Sequence, residues 1–303
     1  MTTPLAVGTL GALAANSAPA AEPMPKDLFG YCLNTSTIRG QNLSVGQQAE
    51  IAAKAGYNGF EPWIPELDKF VKEGGSLKDL GKKISDLGLK VESAIGFAEW
   101  IVDDPEQRKK GLDEAKRNME MLQILGGKRL AAPPVGATKQ ENLNLLAAAE
   151  RYRALAEVGE KMGIVPEVEV WGFSKSLKRL GESLLVAMES MHASACVLPD
   201  IYHLYKGGSD FAGLKLLRGS SIGIFHMNDY PAIERGKIND ADRIYPGDGI
   251  APLKEVIKTL RDIGYRGMLS LELFNRDYWQ QDALKVASTG LAKMKEVVQS
   301  ALS

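Results

Sequence analysis

The sequence predicts an α/β fold, a single closed (β/α)8 barrel, from three observations. From Leu28 onward, short apolar, β-branched or aromatic runs alternate with longer segments of helical period, and eight such βα units can be counted. Five units share a boundary at which a helical pattern stops at Gly and a strand pattern follows: Ala55-Gly56-Tyr57, Leu87-Gly88-Leu89, Leu125-Gly126-Gly127, Met162-Gly163-Ile164 and Ile263-Gly264-Tyr265. No linker rich in Pro, Ser or charge divides residues 27–303, which favours one barrel over two domains. A doubly wound sheet would ordinarily carry a Gly-rich phosphate loop after its first strand. Leu33-Asn34-Thr35-Ser36-Thr37 is not one, and no GxxxxGK[ST] occurs anywhere.

Each element follows from local pattern. Residues 1–26 lie outside the barrel: Leu5 to Ala15 is a short apolar run followed by Ala18-Pro19-Ala20, the layout of a signal-peptide core and cleavage site, although no Lys or Arg precedes Lys26. This segment is read as a signal peptide, which implies export to the periplasm, or else as a disordered Ala-rich tail on a cytoplasmic protein. The strands are expected at Leu28–Leu33, Gly59–Trp63, Val91–Ile95, Arg129–Ala132, Ile164–Val170, Cys196–Asp200, Ile222–Met227 and Met268–Leu273. Between them run apolar stripes at helical spacing, such as Leu77, Leu80, Ile84, Leu87 and Leu253, Val256, Ile257, Leu260. A helix is expected over Gly181–Met191, with His192 at its end in a structural or exposed role. One connection, Asn228 to Ala251, is unusually long, and a long loop after a barrel strand belongs to the active face. The last helix, Asp282 to Ser300, could close the barrel or meet a neighbour in a homo-oligomer.

Composition narrows the function. The 303 residues include 37 Lys plus Arg against 38 Asp plus Glu, a formal net charge of −1, which argues against nucleic acid as partner because that affinity rests on clustered cations. No segment reaches the ~18 consecutive apolar residues of a membrane helix. The two cysteines, Cys32 and Cys196, form no CxxC pair and read as small core residues.

Reacting groups in a barrel come from the C-terminal ends of its strands. The ionisable residues expected there are Glu61, Glu167 or Glu169, Asp200, His226 and Glu272. Singly, each acid would read as a solvated loop residue; four successive strand ends delivering Glu, Asp, His and Glu to one mouth is the informative coincidence. Converging carboxylates repel unless a cation or shared protons neutralise them, and a set of three carboxylates and one imidazole suits Mn²⁺, Mg²⁺ or Co²⁺, with Zn²⁺ also open. Glu167 and Glu169 point the same way on their strand, but Glu169 lies nearer the mouth and is chosen as the ligand, with Glu167 as a deeper supporting carboxylate. His203, three residues after Asp200, can contact a substrate oxygen while Asp200 binds metal. Glu61, Trp63, Phe97, Trp100 and Trp171 are candidates for the wall around a bound substrate.

The phrases Gly163-Ile164-Val165-Pro166-Glu167-Val168-Glu169, Asp200-Ile201-Tyr202-His203, His226-Met227-Asn228-Asp229, Arg243 with Pro246-Gly247-Asp248-Gly249, and Leu269-Ser270-Leu271-Glu272-Leu273-Phe274 resemble the xylose isomerase-like TIM barrel superfamily of sugar isomerases and epimerases, nearest to the ketose 3-epimerases and hydroxypyruvate isomerases. The resemblance covers nearly the whole chain after residue 27. It implies that Glu169, Asp200, His226 and Glu272 ligate one divalent metal, Mn²⁺ first, and that His203 and Arg243 contact the substrate, with Arg235 as competitor to Arg243.

The implied chemistry is proton transfer next to a carbonyl through an enediolate, with Glu169 and Glu272 as the proton-transferring pair on an unphosphorylated keto sugar. Only the Gly247-Asp248-Gly249 turn hints at phosphate binding. The same apparatus suits a lyase or hydratase of 3-keto sugars or glycosides, or a non-catalytic sugar-binding protein. A nuclease on this fold would need more than three histidines and a basic groove.

Overall fold

The structure, a computed structural model, describes residues 28–303. The signal-like stretch Leu5–Ala20 lies outside the described residues. Eight parallel strands appear in chain order: β1 Gly30–Asn34, β2 Gly59–Glu61, β3 Lys90–Val91, β4 Arg129–Ala132, β5 Val165–Glu169, β6 Cys196–Leu198, β7 Phe225–Met227 and β8 Met268–Leu271. Each overlaps a strand expected from sequence. Around them lie the helices α1 Val45–Ala55, α2 Ile64–Lys72, α3 Leu77–Asp86, α4 Pro105–Leu125, α5 Leu145–Met162, α6 Leu180–Glu189, α7 Ile201–Gly207, α8 Leu253–Asp262 and α9 Ala283–Leu302.

The strands close into a ring made of two arcs. One runs β3-β2-β1-β8-β7 and the other β4-β5-β6. The first is stitched through pairs such as Cys32 with Gly59 and Cys32 with Ser270, and its far end pairs His226 with Ser270. Isolated bridges join the arcs: Ile95 with Ala131 at one seam, and Val197 with Ile222 and Asp200 with His226 at the other. The third strand is shorter than the expected Val91–Ile95, yet its backbone bonding continues: Ala94 N–H donates to Arg129 C=O, and Ile95 N–H to Pro62 C=O.

Inside the ring, Cys32, Ile95, Ala131, Leu198 and Ile224 form a small apolar layer, while a much larger cluster fills the space between strands and helices. Both cysteines are buried and free, as their isolation in sequence suggests. The Gly stops are real: Gly163 ends α5 at φ 65°, in the left-handed region, with nothing within 4 Å of where a side chain would start. Earlier in α5, Gly159 has a different reason to be glycine, since a Cβ there would run into the carbonyl oxygen of Ile164. The last helix closes the barrel, burying Val286, Leu291, Met294 and Val298, and its Ala287 C=O accepts from the Tyr57 hydroxyl (3.0 Å). Among the described residues no helix is long and apolar enough to cross a membrane.

The long connection after β7 is organised by Asp229. Its Oδ1 accepts from the N–H groups of Tyr230 (2.8 Å) and Ala251 (2.9 Å), and its Oδ2 from those of Gly247 and Gly249 (both 3.0 Å). The Gly247 and Gly249 donors of the turn that hinted at phosphate binding are therefore already engaged by a side chain of the same loop. Asp229 also exchanges both backbone bonds with Ile244 (2.9 and 3.0 Å), which returns the neighbouring Arg243 to the barrel mouth.

Candidate active site

The residues singled out at strand ends gather at one end of the barrel. Glu169 is the last residue of β5, Asp200 caps α7 just beyond β6, His226 lies within β7, and Glu272 directly follows β8. Asp200, His226 and Glu272 each offer a ligand atom, and these atoms lie within 4.8 Å of one another. Glu169 and Glu272 both line a cavity of about 210 Å³ at this end, but Glu169 stands outside that limit. Parallel pairing explains the gathering, because it aligns the C-terminal ends of all strands on one face.

His226 is held between two sets of acids. Its Nε2–H donates to Glu61 Oε2 (3.0 Å), and its Nδ1 faces Glu272 Oε2 (3.2 Å) and Asp200 Oδ2 (3.8 Å) without a geometrically sound hydrogen bond. Burial opposes a charge on this imidazole, but Glu272 and Glu61 outweigh it and hold the ring well above its usual range. A field that favours a proton on Nδ1 also favours a metal cation there. Glu61 thus lies beneath His226 rather than beside a ligand, contrary to the substrate-contact role expected of it: it is 0% exposed, and the same oxygen accepts from Ser270 Oγ (2.7 Å) and Asn34 Nδ2 (2.9 Å). A carboxylate on the far nitrogen of a histidine fixes its tautomer and leaves the near lone pair free for a metal.

The long loop delivers Arg243, 1% exposed, into the carboxylates: Nη1 donates to Asp200 Oδ2 (3.0 Å) and Glu272 Oε2 (2.7 Å), and Nη2 to Asp240 Oδ1 (2.6 Å). Arg235, its competitor from sequence, instead lies over the Tyr205 ring at 5.2 Å. Burial raises Glu272, but His226 and Arg243 outweigh it and hold its carboxyl well below the usual range. Glu169 moves the other way, pushed up by burial and then by the charge of Glu272. Burial also raises Asp200, against the pull of Arg243. The buried Glu169 Oε2 and His226 Nδ1 have no partner, and the carboxylates beside them offer more oxygens than the Arg243 guanidinium engages. The donor set therefore fits a divalent cation.

His203 presents a second unsatisfied feature. Gly172 N–H donates to its Nδ1 (3.2 Å), and Arg243 Nη2 lies 3.1 Å from its Nε2. Burial, then Arg243, depresses its basicity, so the ring is neutral. A neutral imidazole whose Nδ1 accepts must carry its hydrogen on Nε2. Two donors then face each other with no acceptor between them, an arrangement that a ligand oxygen satisfies.

Aromatic rings collar the cavity in sequence: Phe274 and Trp63 (5.8 Å between centroids), Trp63 and Phe97 (5.2 Å), Phe97 and Trp171 (6.3 Å), Trp171 and Phe173 (5.0 Å). Trp171, expected near a substrate, lines the cavity. Trp100, expected in the wall, does not: it is buried behind it, its indole donating to Pro133 C=O (2.9 Å). His192, taken as structural or exposed, sits past α6 and bonds Ser194. The sequence reading missed the neutral members. Asn34 bridges Glu61 and Glu272 (2.9 and 3.2 Å), and Asn228 donates to Asp200 (2.9 Å). Both lie at the ends of strands, where a search confined to ionisable side chains passed over amides.

Comparisons with known proteins give the fold and the family. Inosose isomerase of Bacillus licheniformis is 25% identical over 272 residues, 88% of this chain and 97% of that protein. A 3-dehydroshikimate dehydratase of Pseudomonas putida is 24% identical over 251 residues, 82% of this chain but 39% of that protein. Among solved structures, the crystal structure of an IolI protein with a bound zinc atom superposes with a TM-score of 0.83 at 22% identity, covering 90% of this chain and 99% of the other. The model of the xylose isomerase-like TIM barrel family matches residues 49–297, and the chain belongs to that family.

Proposed function

We propose that the protein is a divalent-metal-dependent isomerase of an unphosphorylated cyclic keto sugar, moving a proton on carbon beside the ketone through an enediolate. The observation that supports this most is the Asp200–His226–Glu272 cluster, with an unpartnered imidazole nitrogen, set beside Glu169 beneath a collar of aromatic rings. The aromatic faces suit the C–H faces of a ring. The named substrates of the two relatives, inosose and 3-dehydroshikimate, are both ring ketones with neighbouring hydroxyls.

Asp200, His226 and Glu272 would hold the ion, with Glu169 opposite. The ion supplies positive charge to the oxygens of the enediolate. Beside a cation in the cluster Glu169 would stay ionised, and its buried, unpartnered Oε2 would then take the proton from one carbon and return it to the neighbouring one, whereas Glu272, held by His226 and Arg243, stays ionised and serves first as ligand. The converging His203 Nε2–H and Arg243 Nη2 donate to the substrate oxygen on which charge develops. In the dehydratase reading, favoured by similarity to the Pseudomonas enzyme over most of this chain, the same enediolate expels a neighbouring hydroxyl, which leaves as water with the proton that Glu169 took, instead of being reprotonated on carbon.

The test is proton exchange in D₂O, followed by NMR, for the Mn²⁺-loaded chain with a panel of ring ketones and open-chain ketoses. Deuterium beside the carbonyl together with a new isomer supports the proposal; deuterium with loss of water moves it to a dehydratase. Neither bound metal nor exchange on any ring ketone overturns it.

A further inference from the structure

A groove of about 640 Å³ adjoins the catalytic cavity and shares Trp63 and Phe97 with it. The cavity alone, about 210 Å³, is below the ~300–1,000 Å³ usual for small-molecule sites, room for little more than one ring. Beyond the shared aromatics, the groove is walled by Leu43, Phe70 and Lys69, and by Arg39, whose guanidinium carbon lies 3.7 Å from the centroid of the Trp63 ring. Arg39 Nε faces Glu66 Oε1 at 3.5 Å, while its Nη2 is shielded from water and has no partner. The Arg39 guanidinium, part of which stays exposed in the groove wall, offers N–H donors to an acceptor oxygen there, and aromatic and aliphatic walls suit the faces of a second ring.

Resting on the keto-sugar reading, we propose that the substrate is a glycoside: its reacting ring fills the cavity, and a second ring, joined through the glycosidic oxygen, lies in the groove beside Trp63 and Phe70 with an oxygen on Arg39. Size and continuity both favour this occupant, since the groove opens from the same aromatic wall that collars the reacting ring.

The experiment is a calorimetric titration of the full chain with methyl β-glucoside, phenyl β-glucoside and cellobiose, probes that share one ring and differ in what would enter the groove. At least one of the two-ring probes should bind at least tenfold more tightly than the methyl glycoside; a phenyl preference assigns an aryl second ring and a cellobiose preference a sugar. Lys69→Trp, at an exposed groove position, should erase that gain and leave methyl β-glucoside binding unchanged, and Arg39→Ala should reduce the gain. Equal affinity for all three probes, a gain that survives both substitutions, or no binding by any of them overturns the proposal. Exchange on unsubstituted ring ketones tests the parent reading separately, so the two can fail independently.

Discussion

Glu61 concentrates three hydrogen bonds on one oxygen, from His226, Asn34 and Ser270, and so sets the direction of the imidazole without touching the cavity. Glu61→Gln keeps the shape but removes the charge, and should weaken metal binding by about 10–100-fold with the fold intact; metal titration alongside circular dichroism checks both halves. Glu167, 0% exposed one layer deeper, has its carboxyl pushed up to about 8 by burial, against the pull of Arg129 (3.4 Å). Its folded-state value therefore exceeds its unfolded one. The stability it contributes is full below the ordinary carboxylate range, near 4.5, and is lost as pH rises from there to about 8. Glu167→Gln, which mimics the protonated acid, should match the wild type near pH 4.5 and exceed it by a few kcal/mol, on the order of one to three, near pH 8. Thermal melts across that range decide it; a constant difference at all pH values would contradict it.

At the scale of elements, the two glycines of α5 separate backbone strain from steric contact. Gly163→Ala meets no neighbour and should cost about 1 kcal/mol, the ordinary expense of a left-handed non-glycine residue. Gly159→Ala drives a methyl into the Ile164 carbonyl and should cost more, measured as the difference in denaturant midpoint. The loop after β7 makes a sharper case. Asp229→Asn replaces one accepting oxygen with a donor that opposes two backbone N–H groups, so it should destabilise the protein by about 1–3 kcal/mol and lose hydrogen-exchange protection at Gly247 and Gly249 or at Tyr230 and Ala251. The elements were readable in advance because period and Gly punctuation are local properties, visible at Gly163 without knowing the fold. The buried ends of the site were not. Asn34 acts on Glu272 from the neighbouring strand β1, and Glu61 of β2 reaches past β1 and β8 to a histidine contributed by β7; such roles depend on how the strands are ordered when the ring closes. Trp63 and Trp100 show the same limit, two exchangeable aromatic residues in sequence that closure divides between wall and core.

For the whole molecule, a bound cation is linked to folding. The carboxylates would repel without it, and a ligand at about 100 times its Kd adds roughly 2.7 kcal/mol. Chelation should lower the Tm by several degrees, and Mn²⁺ should restore it; an unchanged Tm would show that Arg243 alone neutralises the cluster. The ring of strands gives that linkage a location. Glu169 and Asp200 belong to the three-stranded arc, and His226 and Glu272 to the five-stranded one, so the ion would sit astride the seam where bridges at Val197–Ile222 and Asp200–His226 join the arcs. The ion would act as a clasp: the bonds that polarise the substrate would be the ones that keep the barrel from opening, and the seam between β6 and β7 is where the metal-free protein should breathe first.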